Sequence, residues 1–374
     1  MQNHDLVCRI ALGLIPGVGD INARKLVNAT GSVEAVFREP YGNLIKIPGV
    51  GESMARSVID RKYLEQAEKE AEFVTAKKIT TLFYLDDTYP SRLKECPDSP
   101  VMIYYLGNAC LDSVKMLSVV GTRKATPRGK EICEDLISGL ASMFPDLVIV
   151  SGLAYGIDIA AHKAALDSKI KTVAVLAHGL KTIYPPAHTT TARKMVTQGG
   201  LLTDFISGAP AEKNNFLKRN RIIAGLSSAL LVVESGIKGG ALVTAEMALS
   251  YNRDVMAVPG RPSDNWSGGC NRLIKRNIAA LVENTTDICE FLNWSKPESP
   301  SVMQTELFAS LGNDETRIVN LLTKYDTLQI DQISQLTEIP VNRISSLLLS
   351  LEMKDIIKSY PGNTYTRSIN PKVQ

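Results

Sequence analysis

Residues 116–129 read M-L-S-V-V-G-T-R-K-A-T-P-R-G, a short apolar segment that runs into glycine and basic residues. A helical pattern follows at 128–143. Similar apolar segments then recur along the chain at 147–150, 172–176, 201–204, 229–233, 255–258 and 280–282. Short apolar strands that alternate with helices are typical of a parallel sheet covered on both faces. The sequence therefore predicts an α/β fold with a doubly wound, Rossmann-like parallel sheet, whose ligands should lie at the carboxyl ends of the strands.

The unusual residues of this region follow the predicted strands. Gly121-Thr122-Arg123-Lys124 comes after the first strand, and Lys238-Gly239-Gly240 follows the strand at 229–233. Glycine at a strand-to-helix turn lets a ligand approach the backbone, and the N-terminus of the next helix attracts anions. We therefore expect a phosphate-binding edge that includes Arg123, Lys124, Lys238 and Gly240. Neither the dinucleotide-binding pattern G-x-G-x-x-G nor the P-loop pattern occurs, so no cofactor is predicted.

Residues 213–225 read K-N-N-F-L-K-R-N-R-I-I-A-G and combine four cations with one aromatic ring and no acid. Such a segment suits a polyanion that also offers flat rings. Taken alone, it is more typical of a solvated basic helix face than of a binding site. Beside loops that carry Arg123 and Lys238, it is predicted to form one wall of a phosphate-lined pocket. The candidate residues of this wall are Lys213, Phe216, Lys218, Arg219, Asn220 and Arg221.

A short repeat marks the first part of the chain. P-G-V-G occurs at 16–19 and again at 48–51, each time between helical patterns. Each turn requires the conformational freedom of glycine. The repeat predicts two helix-hairpin-helix units in an N-terminal, SAM-like helical domain at 1–78, with the Rossmann-like domain at 79–292. Such units bind phosphates through backbone N–H groups or serve only for packing and protein contacts, and the sequence leaves both roles open.

The last part of the chain has a different pattern. Residues 293–312 contain prolines, serines and a glycine and are predicted to form a linker. Three helical patterns, the second at 328–336, and a possible hairpin around Pro361-Gly362-Asn363 follow at 313–374, which predicts a C-terminal winged-helix domain. The third helix carries few charges. This favours protein contacts or weak DNA binding over a DNA-reading role.

Composition excludes several classes of protein. The chain has 374 residues, 44% of them hydrophobic, and a net charge of only +3, so any affinity for nucleic acid must come from local patches. No apolar run is long enough to span a membrane, and the first residues do not form a signal peptide, so we expect a cytoplasmic protein. The six cysteines are scattered without C-x-x-C spacing, which predicts neither disulfides nor a metal site.

Six motifs in fixed order carry a family resemblance. Together they closely resemble the DNA-processing protein A family (DprA, also called Smf), and the resemblance covers the α/β region almost from end to end. Two positions depart from the usual pattern, Lys275-Arg276-Asn277 after a Leu-Ile pair and Ala187-His188 after Tyr-Pro-Pro. The six motifs are V-V-G-T-R-K-A-T-P-R-G from Val119, V-S-G-L-A-Y-G-I-D-I-A-A-H from Val150, R-N-R-I-I-A-G-L-S from Arg219, V-V-E-S-G-I-K-G-G-A-L-V-T-A from Val232, V-P-G-R-P from Val258 and G-C-N-R-L-I from Gly269.

The resemblance implies a recombination mediator without catalytic activity. Members of the family bind single-stranded DNA, load the RecA recombinase onto it in natural transformation, and form dimers through the α/β domain. By motif, Arg123 should bind a phosphate, and Phe216 matches a position that stacks on a base. Lys213, Arg219 and Arg221 should line the same groove.

Two other functions stay open at this point. The G-G-A-L-V-T-A-E loop is similar to that of the LOG and lysine-decarboxylase-like phosphoribohydrolases, although their P-G-G-x-G-T spacing is missing. Glu246 is the candidate acid of that loop, but a carboxylate near a helix N-terminus, favoured by the helix dipole, is the preferred interpretation. Asp158 and His162 lie four residues apart and would share a helix face, as an acid/base pair or as structural hydrogen-bonding groups. A transcriptional regulator that uses the winged helix is the third alternative, and the weak charge of the third helix there argues against it.

Overall fold

The computed structural model describes residues 2–295, 312–325, 327–354, 356–360 and 363–367. These residues belong to two compact units, Met1–Pro297 and Glu298–Gln374. Most of the predicted linker at 293–312 lies outside the described residues. The domain boundaries assigned from the sequence therefore stay predictions.

The described residues before the first strand form six helices: α1 (Gln2–Leu14), α2 (Asp20–Thr30), α3 (Val33–Arg38), α4 (Tyr41–Leu44), α5 (Glu52–Val58) and α6 (Lys62–Ala76). The two P-G-V-G turns connect α1 to α2 and α4 to α5. Gly17 and Gly49 have φ angles of 79° and 91°, in the left-handed region that favours glycine. The predicted pair of helix-hairpin-helix units is confirmed.

A sheet of nine strands forms the centre of the first unit, in the order β1-β2-β6-β5-β4-β3-β7-β8-β9. From β6 to β9 every neighbouring pair is parallel, as predicted. The edge strands β1 and β2 are antiparallel additions, and the sequence did not indicate their place in the sheet. The strands are β1 (Thr80–Phe83), β2 (Met102–Gly107), β3 (Met116–Val120), β4 (Val148–Ser151), β5 (Lys171–Val175), β6 (Gly199–Thr203), β7 (Ala229–Val232), β8 (Asp254–Ala257) and β9 (Ala280–Leu281).

Helices cover the parallel strands on both faces, which confirms the doubly wound fold. On one face Ile137 of α8 and Ala161 of α9 belong to one buried cluster, and on the other Ile222 of α11 and Ala245 of α12 belong to a second. The second cluster continues into the N-terminal helices. The helices are α7 (Ser91–Lys94), α8 (Pro127–Met143), α9 (Ile157–Asp167), α10 (Thr189–Thr197), α11 (Lys213–Leu226), α12 (Gly240–Ser250), α13 (Gly268–Lys275) and α14 (Thr285–Phe291), with a 3-10 turn at Pro186–His188.

The described residues of the second unit form three helices and a small antiparallel sheet, the winged-helix arrangement predicted from the sequence. Its elements are α15 (Asn313–Tyr325), β10 (Thr327–Gln329), α16 (Ile330–Thr337), α17 (Val341–Met353), β11 (Ile357–Tyr360) and β12 (Thr364–Arg367). The sequence assigned 328–336 to one helix, and this was wrong at its start, because β10 pairs there with β12. The predicted hairpin turn includes residues 361–362, which lie outside the described residues. None of the described helices is long and apolar enough to cross a membrane.

Candidate nucleic-acid interface

The direction in which the chain adds strands to the sheet reverses between β3 and β7. The chain passes from β3 to β4 on one side, while β7 continues the sheet on the other side of β3. Loops that leave such a switch point diverge and open a crevice at the carboxyl ends of the strands. The loop after β3 carries Arg123 and Lys124, and the loop after β7 carries Lys238. The sheet order thus places both predicted phosphate-binding loops beside one crevice.

Backbone hydrogen bonds join three of these loops. Thr122 donates its N–H to the Glu234 carbonyl at 2.7 Å, and Ile157 donates to the Thr122 carbonyl at 3.2 Å. Gly156 has a φ of 83°, and a Cβ at this position would lie 2.1 Å from the Thr122 carbonyl oxygen. Only glycine permits this close approach. The backbone that carries Arg123 is therefore held firmly against the N-terminus of α9.

Exposed cations surround this edge. Arg123 and Lys124 are exposed in their loop, and Lys213 and Lys218 are exposed on α11. Within the described ranges none of the four makes an ion pair. We call Arg123, Lys213 and Lys218 the rim cations. Because no acid neutralises them, they remain available for the phosphates of a ligand.

Phe216 lies among these charges on α11. The Arg123 guanidinium carbon is 4.8 Å from the centre of its ring, within cation–π range. The guanidinium of Arg219 lies 6.0 Å from the same centre, and the Tyr184 ring meets it edge to face at 5.9 Å. The structure thus brings a phosphate candidate and a base-stacking candidate into direct contact.

Arg219, another predicted groove residue, is only 3% exposed. Its guanidinium donates to the Val175 carbonyl at the end of β5 and packs against Gly152. Burial lowers the pKa of Arg219 to about 10, although the nearby Asp158 carboxylate opposes this change. Its role in DNA binding stays a prediction. The contacts favour a role in supporting this edge rather than in contacting a ligand.

Arg221 lies in a cluster of acids rather than at the edge. Its guanidinium binds the Asp20 carboxylate at 2.8 Å and the Asp204 carboxylate at 2.6 Å, and it also donates to the Asp98 carbonyl. Asp20 is the first residue of α2, directly after the first hairpin turn. Arg221 therefore fastens α11 to the N-terminal helices. Arg219 is buried and the Arg221 side chain is only 13% exposed, and we call the two the buried arginines.

A carboxylate occupies the N-terminus of α8. Glu234 accepts the backbone N–H of Thr126 at 2.9 Å and the Thr126 hydroxyl at 2.5 Å. A Cβ on Gly129 would lie 2.1 Å from the Glu234 carboxyl carbon, so the two segments are closely packed. The protein's own acid thus takes the place where an anion would bind a helix N-terminus. This favours a site centred on Arg123 and α11 over a nucleotide site at α8.

Comparison with known proteins decides the family. Residues 80–293, more than half of the chain, match the family model described as DNA recombination-mediator protein A. The chain belongs to this family. Flanking segments match a helix-hairpin-helix motif at 8–71 and a DprA winged-helix domain at 305–363.

Relatives and solved structures agree with this assignment. The chain is 38% identical to a putative DNA processing protein DprA of Mycobacterium tuberculosis over 71% of this chain and 70% of that protein. It is 29% identical to the protein Smf of Synechocystis over 98% of this chain and 100% of that protein. The X-ray structure of DprA from Streptococcus pneumoniae matches with a TM-score of 0.64 and 31% identity, over 78% of this chain and 97% of the other. A structure of DprA from Helicobacter pylori was described for its single-stranded DNA binding mode. It matches with a TM-score of 0.52 and 28% identity, over 58% of this chain and 96% of the other.

The remaining predicted site residues lie in two places. Lys238 and Gly240 are exposed in the loop between β7 and α12, and Gly240 begins α12. Lys238 also lines a cavity of about 200 Å³ together with Arg272 and Arg276. Asn220 is half-buried on α11, between the two buried arginines in sequence. Their roles in binding DNA stay predictions.

Asp158 and His162, the candidate acid/base pair, are each buried and hydrogen-bonded to a different partner. Asp158 is buried and accepts the Ala154 N–H at 3.4 Å, while the buried His162 pairs through Nδ1 with the Thr172 hydroxyl at 2.7 Å. Burial lowers the pKa of His162 to about 3. Glu246 is exposed in the second turn of α12, so the interpretation of it as a helix N-terminal carboxylate was wrong. Within the described part of the chain, no group of three His, Cys, Asp or Glu side chains could hold a metal ion.

One aromatic residue of this edge was not among the site residues predicted from the sequence. Tyr184 follows β5 and precedes the 3-10 turn, and its ring reaches Phe216. The only signal in the sequence was an aromatic residue in a loop after a predicted strand. That signal is weak, because nothing in the sequence shows which ring a loop brings to α11.

Proposed function

We propose that this protein binds single-stranded DNA at the edge formed by Arg123, Lys213 and Phe216. The observation that carries the proposal is the contact between an exposed, unpaired arginine and an aromatic ring at the switch point of the sheet. The related structure from Helicobacter pylori, whose subject is a single-stranded DNA binding mode, supports it. The phosphate backbone and the bases of the DNA strand would then contact different residues of one site.

The chemistry of the edge explains a preference for single strands. Each phosphate neutralised by a rim cation releases counterions, so binding is independent of sequence and sensitive to salt. An aromatic ring stacks on any base, and a single strand can present its bases where a duplex hides them. The buried arginines hold α11 in place and thereby keep Lys213, Lys218 and Phe216 in their relative positions.

Membership of the family supports a proposal for the biological role. We propose that the protein loads a RecA-type recombinase onto the bound strand during recombination and natural transformation, as a homodimer through its α/β region. We further propose that it acts in the cytoplasm and catalyses no reaction. All six cysteines are free thiols, as is usual in a reducing compartment.

A binding titration tests the proposal. We expect the full chain to bind oligo-dT of about 16 nucleotides more tightly than a duplex of the same length, with affinity that falls as salt rises. Equal or tighter binding of the duplex would contradict the proposal. Hydrolysis of AMP that is lost in Glu246→Gln would instead support the phosphoribohydrolase alternative.

A further inference from the structure

Tyr184 presents an exposed aromatic ring at the proposed binding edge. The residue is 47% exposed, yet its ring centre lies 5.9 Å from that of Phe216 at an angle of 64°. Phe216 is its one ring contact among the described residues. A large part of the tyrosine ring is therefore free to meet a ligand.

Phe216 is in a more crowded position. It is half-buried, and the guanidinium groups of Arg123 and Arg219 lie 4.8 and 6.0 Å from its ring centre. The Tyr184 ring also packs edge to face against the Phe216 ring. A base that stacked on Phe216 would have to compete with these neighbours. The accessible stacking surface of the pair belongs to Tyr184.

The backbone of Tyr184 is fixed before any ligand arrives. Its N–H donates to Nε2 of the buried His178 at 3.1 Å, and Nδ1 of His178 lies 2.8 Å from the Gly179 carbonyl. The Thr203 hydroxyl donates to the His178 carbonyl at 2.9 Å, which ties this loop to the end of β6. A residue held in this way loses little freedom when it binds, which favours affinity.

We propose that Tyr184 is a base-stacking residue of this protein, and that Phe216 serves mainly to hold the Tyr184 ring and the Arg123 guanidinium beside each other. The inference rests on the proposed function, because it requires a ligand with unpaired bases. The Tyr184 ring centre and the Arg123 guanidinium carbon lie 5.9 and 4.8 Å from the Phe216 ring centre, so one short stretch of strand can reach both. The ligand is a single strand with at least one unstacked base next to a bound phosphate.

Two strands and three variants test this assignment in the full chain. The strands are oligo-dT and an abasic strand of the same length, about 16 nucleotides. We expect Tyr184→Leu, which keeps an apolar side chain but removes the ring, to weaken oligo-dT binding roughly tenfold. Tyr184→Phe should bind like the wild type, since the ring is kept. Tyr325→Ala is the matched control, because Tyr325 is also a 47% exposed tyrosine but belongs to the second compact unit.

The abasic strand separates stacking from loss of structure. Wild type and Tyr184→Leu should bind it equally, because it offers phosphates without bases. Unchanged binding of oligo-dT by Tyr184→Leu, or an equal loss from Tyr325→Ala, would overturn the assignment. A loss that is as large on the abasic strand would do the same. These outcomes differ from a failure of the proposed function, in which the wild type itself would not prefer the single strand.

Discussion

The rim cations and the buried arginines differ although α11 carries members of both groups. Lys213 and Lys218 are exposed and make no ion pair among the described residues, whereas Arg219 and Arg221 are bound to carbonyls and acids of neighbouring segments. The difference shows that a run of basic residues is not one functional unit. Charges without a partner are available to a ligand, and charges with buried partners stabilise the frame that presents them.

The largest expected effect is on stability, at Arg221. Arg221→Ala should lower the free energy of unfolding by about 3–5 kcal/mol, because Asp20 and Asp204 would keep their negative charges in a partly buried site. Urea unfolding measures the change. Adding Asp204→Asn in the same chain should restore part of the loss. A wild-type unfolding midpoint in Arg221→Ala would remove this residue from the stabilising group.

Arg219→Ala should lower the free energy of unfolding by about 2–3 kcal/mol near neutral pH, because Asp158 stays buried without its opposing charge. Burial raises the pKa of Asp158, and the Arg219 charge opposes that rise, so the variant should raise this pKa further. A folded carboxyl with a raised pKa takes up a proton as pH falls. The loss should therefore be smaller at about pH 5 than at about pH 8.

Unfolding of Arg219→Ala at both pH values checks the prediction, with Asp158→Asn added as the control. In that double variant the difference between the two pH values should disappear, because the amide does not titrate. An equal loss for Arg219→Ala at both pH values would mean that Asp158 is not the group that Arg219 compensates.

Substitutions of the rim cations should weaken DNA binding and leave stability unchanged. Arg123→Ala and Lys213→Ala should each weaken oligo-dT binding about tenfold, with a salt dependence reduced by about one released ion. Both residues are exposed and make no ion pair with any part of the chain that the structure describes, so thermal unfolding should stay that of the wild type. Arg193→Ala, an exposed arginine on α10, is the matched control and should change neither property. Unaltered affinity in both rim variants would exclude them from the site.

The smallest effect is expected at Lys218. It is exposed in the second turn of α11, whereas Lys213 lies at the N-terminus of that helix, where N–H groups also attract phosphate, and Arg123 stacks on Phe216. Lys218→Ala should therefore weaken oligo-dT binding by less than about 1 kcal/mol, a change of a few-fold. The same titration measures it. A loss as large as that of Arg123→Ala would show that the rim acts through net charge rather than through the arginine–aromatic contact.

Local patterns predicted much of the architecture. The alternating apolar strands, the two glycine turns and the C-terminal helices and strands each depend on neighbouring residues, so the fold class was predictable. The antiparallel partners β1 and β2 were not placed, because strand pairing joins segments that are far apart in the chain. Strand β10 was missed because its three residues are too short to show a period.

The sequence by itself determined the doubly wound sheet, the loops at its carboxyl edge and the concentration of cations at 213–221. It also contained a sign of the burial of Arg219, which shares the spacing of the core residues Ile222, Ile223 and Leu226 along the helix. Only the tertiary structure decided the roles of Arg221 and Tyr184. Arg221 is paired because the N-terminal helices bring Asp20 to it, and Tyr184 joins the edge because its loop meets α11. Contacts between segments distant in sequence leave no period in either segment, so they emerge only when the chain has folded.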